Sequence, residues 1–521
     1  MRILRSCALR CNKMMITLIR RELLDNLMTF RFAAAVFITL LLVVAVTAVL
    51  IKDYERRLES YNTSIETNRQ KLHRWQTYSP GVERLYVDRP PNPLSLFNVG
   101  LDKRLGNKIR VSAWFVPSLW DAEMDSSDNS FLNIFSSIDI IFIFEVVLSL
   151  LALIFAYDAL AGERERGTLR LVLTHPVRRG HILFAKYISA MLCLLVPLLI
   201  SLLLAMILLT TSTSISLSTD AFLCIGGIVL SSLVYLSVFY LIGLLISAVT
   251  RRTSTALMLS MFVWGFLVLV YPNMILATNV PEETSEARAA SALNQIKQIY
   301  EEFDRERKNF LANDPVPGDD PMFGMEGPSG WTSGSGFIEN QLTQLTLFYY
   351  YSSVISYNDF YDRHLPQVPH ARNYYGFLGP RMIDMAEQTW LIRKQILDDI
   401  FVRPAFVDRV LLRLSPVGIY DATTQMWAGT DLRGIQDFFG AVRQYRQEVI
   451  DYLYDKKAFG SRLWLAADQA KVDWNTLPQF SFQRTDIGMN AKRAFPDLFL
   501  LLTINLILFV IICVIFIKSE V

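Results

Sequence analysis

The chain has 521 residues, 52% of them hydrophobic and 19% charged, with a formal net charge of +2 and a mean hydropathy of +0.30. That balance is too apolar for an ordinary water-soluble multidomain protein. Six stretches are long enough to cross a hydrocarbon layer of about 30 Å, so the fold class is read as an all-α polytopic membrane protein: six transmembrane helices with a mostly helical extracytoplasmic domain.

Residues 1–31 precede the first span. Within them, Ile16 to Thr29 reads as an amphipathic helix, with Ile16, Ile19, Leu23, Leu24 and Leu27 on one side and Arg20, Arg21 and Asp25 elsewhere. This is the pattern of a helix lying in the membrane interface; a plain lead-in is the alternative. The first span, 32–51, is longer than a signal-peptide core and lacks a small-residue cleavage pattern after it, so it is expected to stay as a transmembrane helix. Beyond it, Tyr54, Leu58, Tyr61, Ile65, Leu72 and Trp75 fall on heptad steps. The helix is therefore predicted to continue into a first insertion, 52–139.

The second span, 140–157, contains Glu145. An acid near a span centre costs roughly 2.5–3.5 kcal/mol, which surrounding Leu, Ile, Phe and Val offset at about 0.3–0.6 kcal/mol each. Glu145 should face protein or a water-filled cavity. A transport pathway, a structural hydrogen bond and snorkelling toward the nearby surface are its three readings.

Residues 158–187 follow. Gly162-x-x-x-x-Gly167 has the glycine spacing of a phosphate-binding loop, but that loop needs Lys and then Ser or Thr after the second glycine. Thr168 and Leu169 stand there instead, so nucleotide binding by this chain is not expected. Leu169, Val172 and Leu173 lie at helical spacing in a frame of Glu163, Arg164, Glu165, Arg166 and Arg170, and Pro176 closes the pattern. Such a stripe fits a partner's groove or, alternatively, a lipid surface.

Three spans come next, at 188–209, 221–248 and 255–277. The fourth of the six is long enough to require a tilt or a break, with Gly226, Gly227 and Gly243 as break points. The second insertion, 278–497, opens on another stripe: Ala289, Leu293, Ile296, Tyr300, Phe303 and Phe310. The two striped helices are read as packing on each other or across a dimer axis. Asn313 to Gly336 is a Pro/Gly/Ser-rich loop, and helical patterns resume at 338–356, 380–402 and 434–455. His364 and His370, followed by Met382 and Met385, are copper-ligand residue types. Around a proline-broken loop the two histidines read as ordinary surface residues, and no metal site is assigned. Asn505, in the last span at 498–517, reads as a hydrogen-bonding contact between helices.

The segments 1–31, 158–187, 250–254 and 518–521 together carry 16 Lys/Arg against 6 Asp/Glu, whereas the rest of the chain carries 35 against 43. This bias assigns both termini to the cytoplasmic side of the cell (inner) membrane and both insertions to the outside. All five cysteines fall in membrane or cytoplasmic segments, so the insertions must fold without disulfides.

Glu163-Arg-Glu-Arg-Gly167-Thr168-Leu169, continuing to Thr174-His-Pro176-Val-Arg178, resembles the acidic, Gly-Thr-Leu-containing cytoplasmic stretch of permease subunits of type-2 ABC exporters. Ile19-Arg20-Arg21-Glu22-Leu23 is similar to that family's amphipathic connecting helix, and Ser247 to Leu257 to its tight cytoplasmic turn. Arg89-Pro90-Pro91-Asn-Pro93-Leu94-Ser95-Leu-Phe97, Leu414-Ser415-Pro416, Ala428-Gly429-Thr430 and Pro478-Gln-Phe480 look like the branch with two large extracytoplasmic insertions, grouped with multicopper-enzyme maturation.

The resemblance implies a connecting helix in 1–31 and a coupling helix in 158–187. Glu163, Glu165, Gly167, Thr168, Leu169, Val172, Leu173 and Pro176 would then meet a separate ABC ATP-binding subunit, which binds the ATP and Mg. The chain would hold no cofactor and be no enzyme itself; its partners would be that ATPase, a second permease chain in a homodimer, and membrane lipid, with no nucleic acid. The implied function is the permease subunit of an exporter. A complex that transmits mechanical work to an envelope partner, without transport, is the alternative.

Overall fold

The structure, a computed structural model, describes residues 2–83, 85–123, 138–168, 179–212, 215, 217–277, 283–315, 368–397, 407, 410–464, 470–484 and 486–518. The candidate helix at 338–356, His364 and nearly all of the Asn313–Gly336 loop lie outside them. The first helix, α1 (Arg2–Leu27), turns at Thr29 into α2 (Phe30–Arg74). The Thr29 hydroxyl accepts from the Phe32 amide at 3.3 Å, capping a free N–H of the new helix. Its 45 residues make a strut roughly 67 Å long, far more than a bilayer needs. Tyr54 joins the core of the bundle, Leu72 and Trp75 the core of the domain beyond it. Ile65 is left exposed.

The other five candidate spans are α3 (Ile140–Glu165), α4 (Arg179–Thr211), α5 (Thr219–Val249), α6 (Thr253–Ile275) and a final helix. Helix α3 has a π turn at Phe144–Leu148, and α6 one at Gly265–Val270. The two are tied together, because Trp264 donates its indole N–H to the Ser149 hydroxyl at 2.9 Å. Such turns free backbone groups, and the carbonyl of Glu145 accepts from the hydroxyls of Tyr235, at 3.0 Å, and Ser149. Helix α5 runs unbroken. Two of its glycines serve close approach: a Cβ on Gly243 would stand 2.6 Å from that of Ala156, and one on Gly227 would stand 2.4 Å from the Trp427 ring.

The antiparallel strands β1 (Leu85–Asp88) and β2 (Lys108–Val111), in register Leu85 with Val111, contribute Val87, Ile109 and Val111 to the core of the domain. The domain is completed by α7 (Glu283–Asn313), α8 (Val368–Leu397) and α10 (Leu432–Asp455); α9 (Pro416–Ala428) packs into the bundle core, and α11 (Ile487–Lys518) forms the last span. Among the described residues the two striped helices have their main neighbours elsewhere, α2 on β1 and α7 along α8, while Leu72, Trp75, Phe303 and Phe310 pack against one shared core. Phe310 stacks on Phe377 there, with ring centroids 4.7 Å apart. An aromatic core of Trp114, Tyr374, Tyr375, Phe438, Phe459 and Trp464 fills the domain. His370 is not a surface residue. It is buried, and its Nε2–H donates to the Asp314 carbonyl at 2.6 Å; Met382 and Met385 are buried too.

Helix α9 is wedged between α5 and α11. Ser415 caps its start ahead of Pro416, and Gly429 ends it at φ +65°, the left-handed conformation a side chain would resist. The separated motifs of the two insertions meet here. Asn92 donates to the Ala428 carbonyl at 2.7 Å, Asn98 to the Thr424 hydroxyl at 2.9 Å, and the Leu101 amide to the Thr430 carbonyl at 2.9 Å. Tyr420 stacks on Tyr235 at 4.2 Å and bonds Ser232. Gly227→Ala is expected to destabilise the protein by about 1–3 kcal/mol, while Gly226→Ala, facing open space, should be neutral or stabilising by up to about 1 kcal/mol. Thermal unfolding of the two purified variants checks the contrast.

Candidate coupling site

The charged motif after the second span occupies the end of the bundle that also bears α1. Here α3 turns at Tyr157–Leu160 and resumes for Ala161–Glu165. The residues of this short stretch meet α2, α4, α5 and α6, and α1 by way of Lys186. Arg31, at the start of α2, pairs with Asp158 at 3.4 Å and lies over the Tyr157 ring. The buried hydroxyl of Ser247 accepts from the amides of Leu160 and Ala161 at 3.0 and 2.9 Å.

Glu163, Arg164 and Glu165 then divide by sign. The Lys186 ammonium, on α4 and only 5% exposed, donates to Glu163 at 2.7 Å and to Glu22 of α1 at 3.0 Å. Arg164 donates to the carbonyls of Ala248 and Thr250 at the end of α5, both at 3.1 Å. Glu165 accepts from the amide and hydroxyl of Thr253, at 2.9 and 2.8 Å, at the start of α6. A cation thus meets free helix carbonyls and an anion meets free helix amides, the arrangement that the partial charges of helix ends favour. Gly167 stops the stretch at φ +71°, where its N–H reaches the Arg164 carbonyl at 3.2 Å. The spacing of Gly162 and Gly167 therefore has local causes: close packing at the first, left-handed backbone at the second.

Thr168 is exposed, its hydroxyl donating to the Glu163 carbonyl at 3.2 Å. Leu169, Val172, Leu173 and Pro176 lie outside the described residues. Chain description resumes at Arg179, which donates to the Phe516 and Ile517 carbonyls at the end of α11. In the sequence the charges stand as a frame around the apolar stripe, with Lys186 far from them and Ser247 visible only as the start of the turn-like motif. A lysine inside the apolar run Phe184-Ala-Lys-Tyr187 was the available signal.

Residues 16–358 match the ABC-2 family transporter protein. The chain belongs to this family. Among curated proteins, this ABC-2 permease is similar to "Probable ABC transporter permease protein NosY" of Stutzerimonas stutzeri, 35% identical over 140 residues that make up 26% of this chain and 50% of that protein. The protein of the same name from Pseudomonas aeruginosa is 34% identical over 134 residues, 25% of this chain and 48% of its own. The chain thus spans about half the length of the curated relatives it matches.

Glu145 stands apart from this junction, at the π turn of α3. Its carboxylate makes no hydrogen bond with the described residues, while its backbone carbonyl accepts from Tyr235 and Ser149. Asn505 does join helices: it accepts from Ser237 at 2.5 Å and donates to the Val234 carbonyl at 3.1 Å, linking α11 to α5.

Removing one partner of a buried ion pair leaves its counterpart charged and unsolvated. Lys186→Met should cost about 3–5 kcal/mol, and Glu22→Gln/Glu163→Gln/Lys186→Met together should recover most of it. An unchanged melting temperature for the single variant would mean that the three charges do not hold the junction.

Proposed function

We propose that this chain is the membrane half of an ATP-driven exporter and that the segment from Glu163 to Pro176 passes the motion of a separate ATP-binding subunit into the bundle. The observation that carries this reading is the junction: Glu163, Arg164 and Glu165 hold α1, α4, α5 and α6 at one end. A push on the exposed side at Thr168 would reach four helices through short ionic and hydrogen-bonded contacts, as a rigid-body tilt requires. ATP and Mg belong to the partner in this scheme. The Lys/Arg bias supports a cytoplasmic junction, with the domain of α7, α8 and α10 on the far side of the cell membrane.

The working unit is read as two permease chains with two ATPases. Helix α6 supports it, since Met258, Phe262 and Val270 are exposed along it and can meet a second copy or lipid. Glu145 is assigned to the pathway, because its unbonded carboxylate lies among the acids Asp139 and Asp421 and the aromatic pair Tyr235 and Tyr420.

One observation favours mechanical transmission without transport. Helix α2 is continuous from the junction side into the domain core, so tilting it would move the domain directly. Reconstituted vesicles separate the two, because only an exporter moves a substrate across them.

Coexpression with candidate ATP-binding proteins and purification in mild detergent tests the coupling. The wild type should retain an ATPase, and Leu169→Asp and Leu173→Asp should lose at least about tenfold in affinity, the effect of burying an unpaired carboxylate. Equal retention by all three proteins, or by none, would overturn the assignment.

A further inference from the structure

At the domain-side end of α2, a chain of charges is unevenly matched. The apolar stretch of α2 ends at Ile51 and is followed by Asp53 and Arg57. Asp53 accepts from Lys103 at 2.6 Å and from Arg57 at 3.1 Å, and Arg57 reaches on to Asp102 at 3.0 Å. Asp102 is shared with Arg89, also at 3.0 Å. Arg57 donates further to the Ser95 hydroxyl at 3.0 Å. Arg484 completes the group: it donates to the Pro90 carbonyl, and no carboxylate among the described residues lies within ion-pairing distance of it.

Four cations thus share two carboxylates, leaving an excess of two positive charges. Of the other acids nearby, Asp88 is engaged with Ser64 and Asn68, and Asp139 accepts from the Val99 and Phe142 amides. Much of the group is removed from water. The side chains of Arg89 and Asp102 are 5% and 3% exposed, and the Arg89 Nε–H is buried with no partner. Burial lowers the pKa of Lys103, with Asp53 opposing the shift and Arg57 adding to it. Arg484 is lowered by burial as well, with Asp102 opposing. Positive charge is therefore held here at a cost that a further anion would relieve. Arg57 and Lys103 remain 22% and 16% exposed, giving such an anion a side to approach from.

Height along α2 narrows the chemistry. Asp53 lies about 3 Å beyond Ile51, inside the headgroup layer that flanks the hydrocarbon by about 5–7 Å on each side, and the Arg57 backbone about 9 Å, just outside it with a side chain long enough to reach back. Guanidinium forks match the paired oxygens of phosphate.

We propose that Arg57, Lys103 and Arg484 form a site for a phosphate group at the domain-side membrane surface. The group can come from a phospholipid headgroup or from free phosphate. The site depends on where the membrane lies and not on the coupling scheme, so either can fail alone.

The test uses the full-length chain purified in detergent, with two probes. Retained phospholipid is counted by native mass spectrometry after exchange into phosphatidylglycerol-containing micelles; inorganic phosphate is titrated by thermal shift against chloride at constant ionic strength. A lipid retained by wild type and weakened about tenfold or more by Arg484→Gln, with no response to phosphate, identifies a headgroup site. A stabilising phosphate response lost in that variant identifies a free-anion site. Lys103→Gln repeats the comparison at a more exposed position in case Arg484→Gln fails to fold. Neither probe bound by wild type, or both bound equally by folded variants, overturns the proposal.

Discussion

A lysine ammonium inside an apolar helix bundle must be neutralised, and the rest of the junction depends on how Lys186 meets that demand. One carboxylate would suffice for charge, yet Lys186 draws two, Glu22 from α1 and Glu163 from the stretch after the second span. Because the ammonium is nearly sealed from water, separating either carboxylate from it is expensive in a way that a surface ion pair is not. The amphipathic first helix is thereby fixed to the bundle by a specific contact as well as by its apolar face. Glu163 in turn fixes the direction in which Arg164 and Glu165 leave the helix. Their signs then match the ends of α5 and α6 that they reach.

The same economy of contacts recurs at the other end of the molecule. Helix α9 plugs the space between α5 and α11, and its Tyr420 rests face to face on Tyr235. Tyr235 also bonds the carbonyl freed by the π turn at Glu145. A shift of α3 would therefore be felt by α5, by α9 and, through Asn92 and Asn98, by the connection between β1 and β2. Bundle and domain are connected by packed, hydrogen-bonded elements and by the unbroken α2, so movement at one end has a physical route to the other.

Much of this was legible in the sequence where the signal is local and repeated. Six apolar stretches, the amphipathic run from Ile16 to Thr29 and the outward heptads of α2 each leave a period that one helix imposes. Partners across hundreds of residues leave none. The stripe of α7 predicted a buried face but not that Phe310 would stack on Phe377. His370 looked like a surface residue because its neighbours are prolines, whereas the fold buries it against the Asp314 carbonyl. The strands β1 and β2, four residues each, are too short to stand out from an aperiodic insertion. The charged motif was visible as a cluster, but its meaning lies in Lys186, Ser247, Ala248 and Thr253, which only the folded chain brings to it.

The central claim is that α1 and the charged stretch move as one body because Lys186 binds both. Spin labels at Arg21→Cys and Thr168→Cys, in a chain with its native cysteines replaced, report the distance between them by pulsed electron resonance. In the assembled complex, that distance should be the same without nucleotide and with nucleotide trapped, and should broaden when Lys186→Met is added. A wild-type distance that changes between the two nucleotide states would contradict the account, since the two elements would then be moving independently across an intact ionic contact.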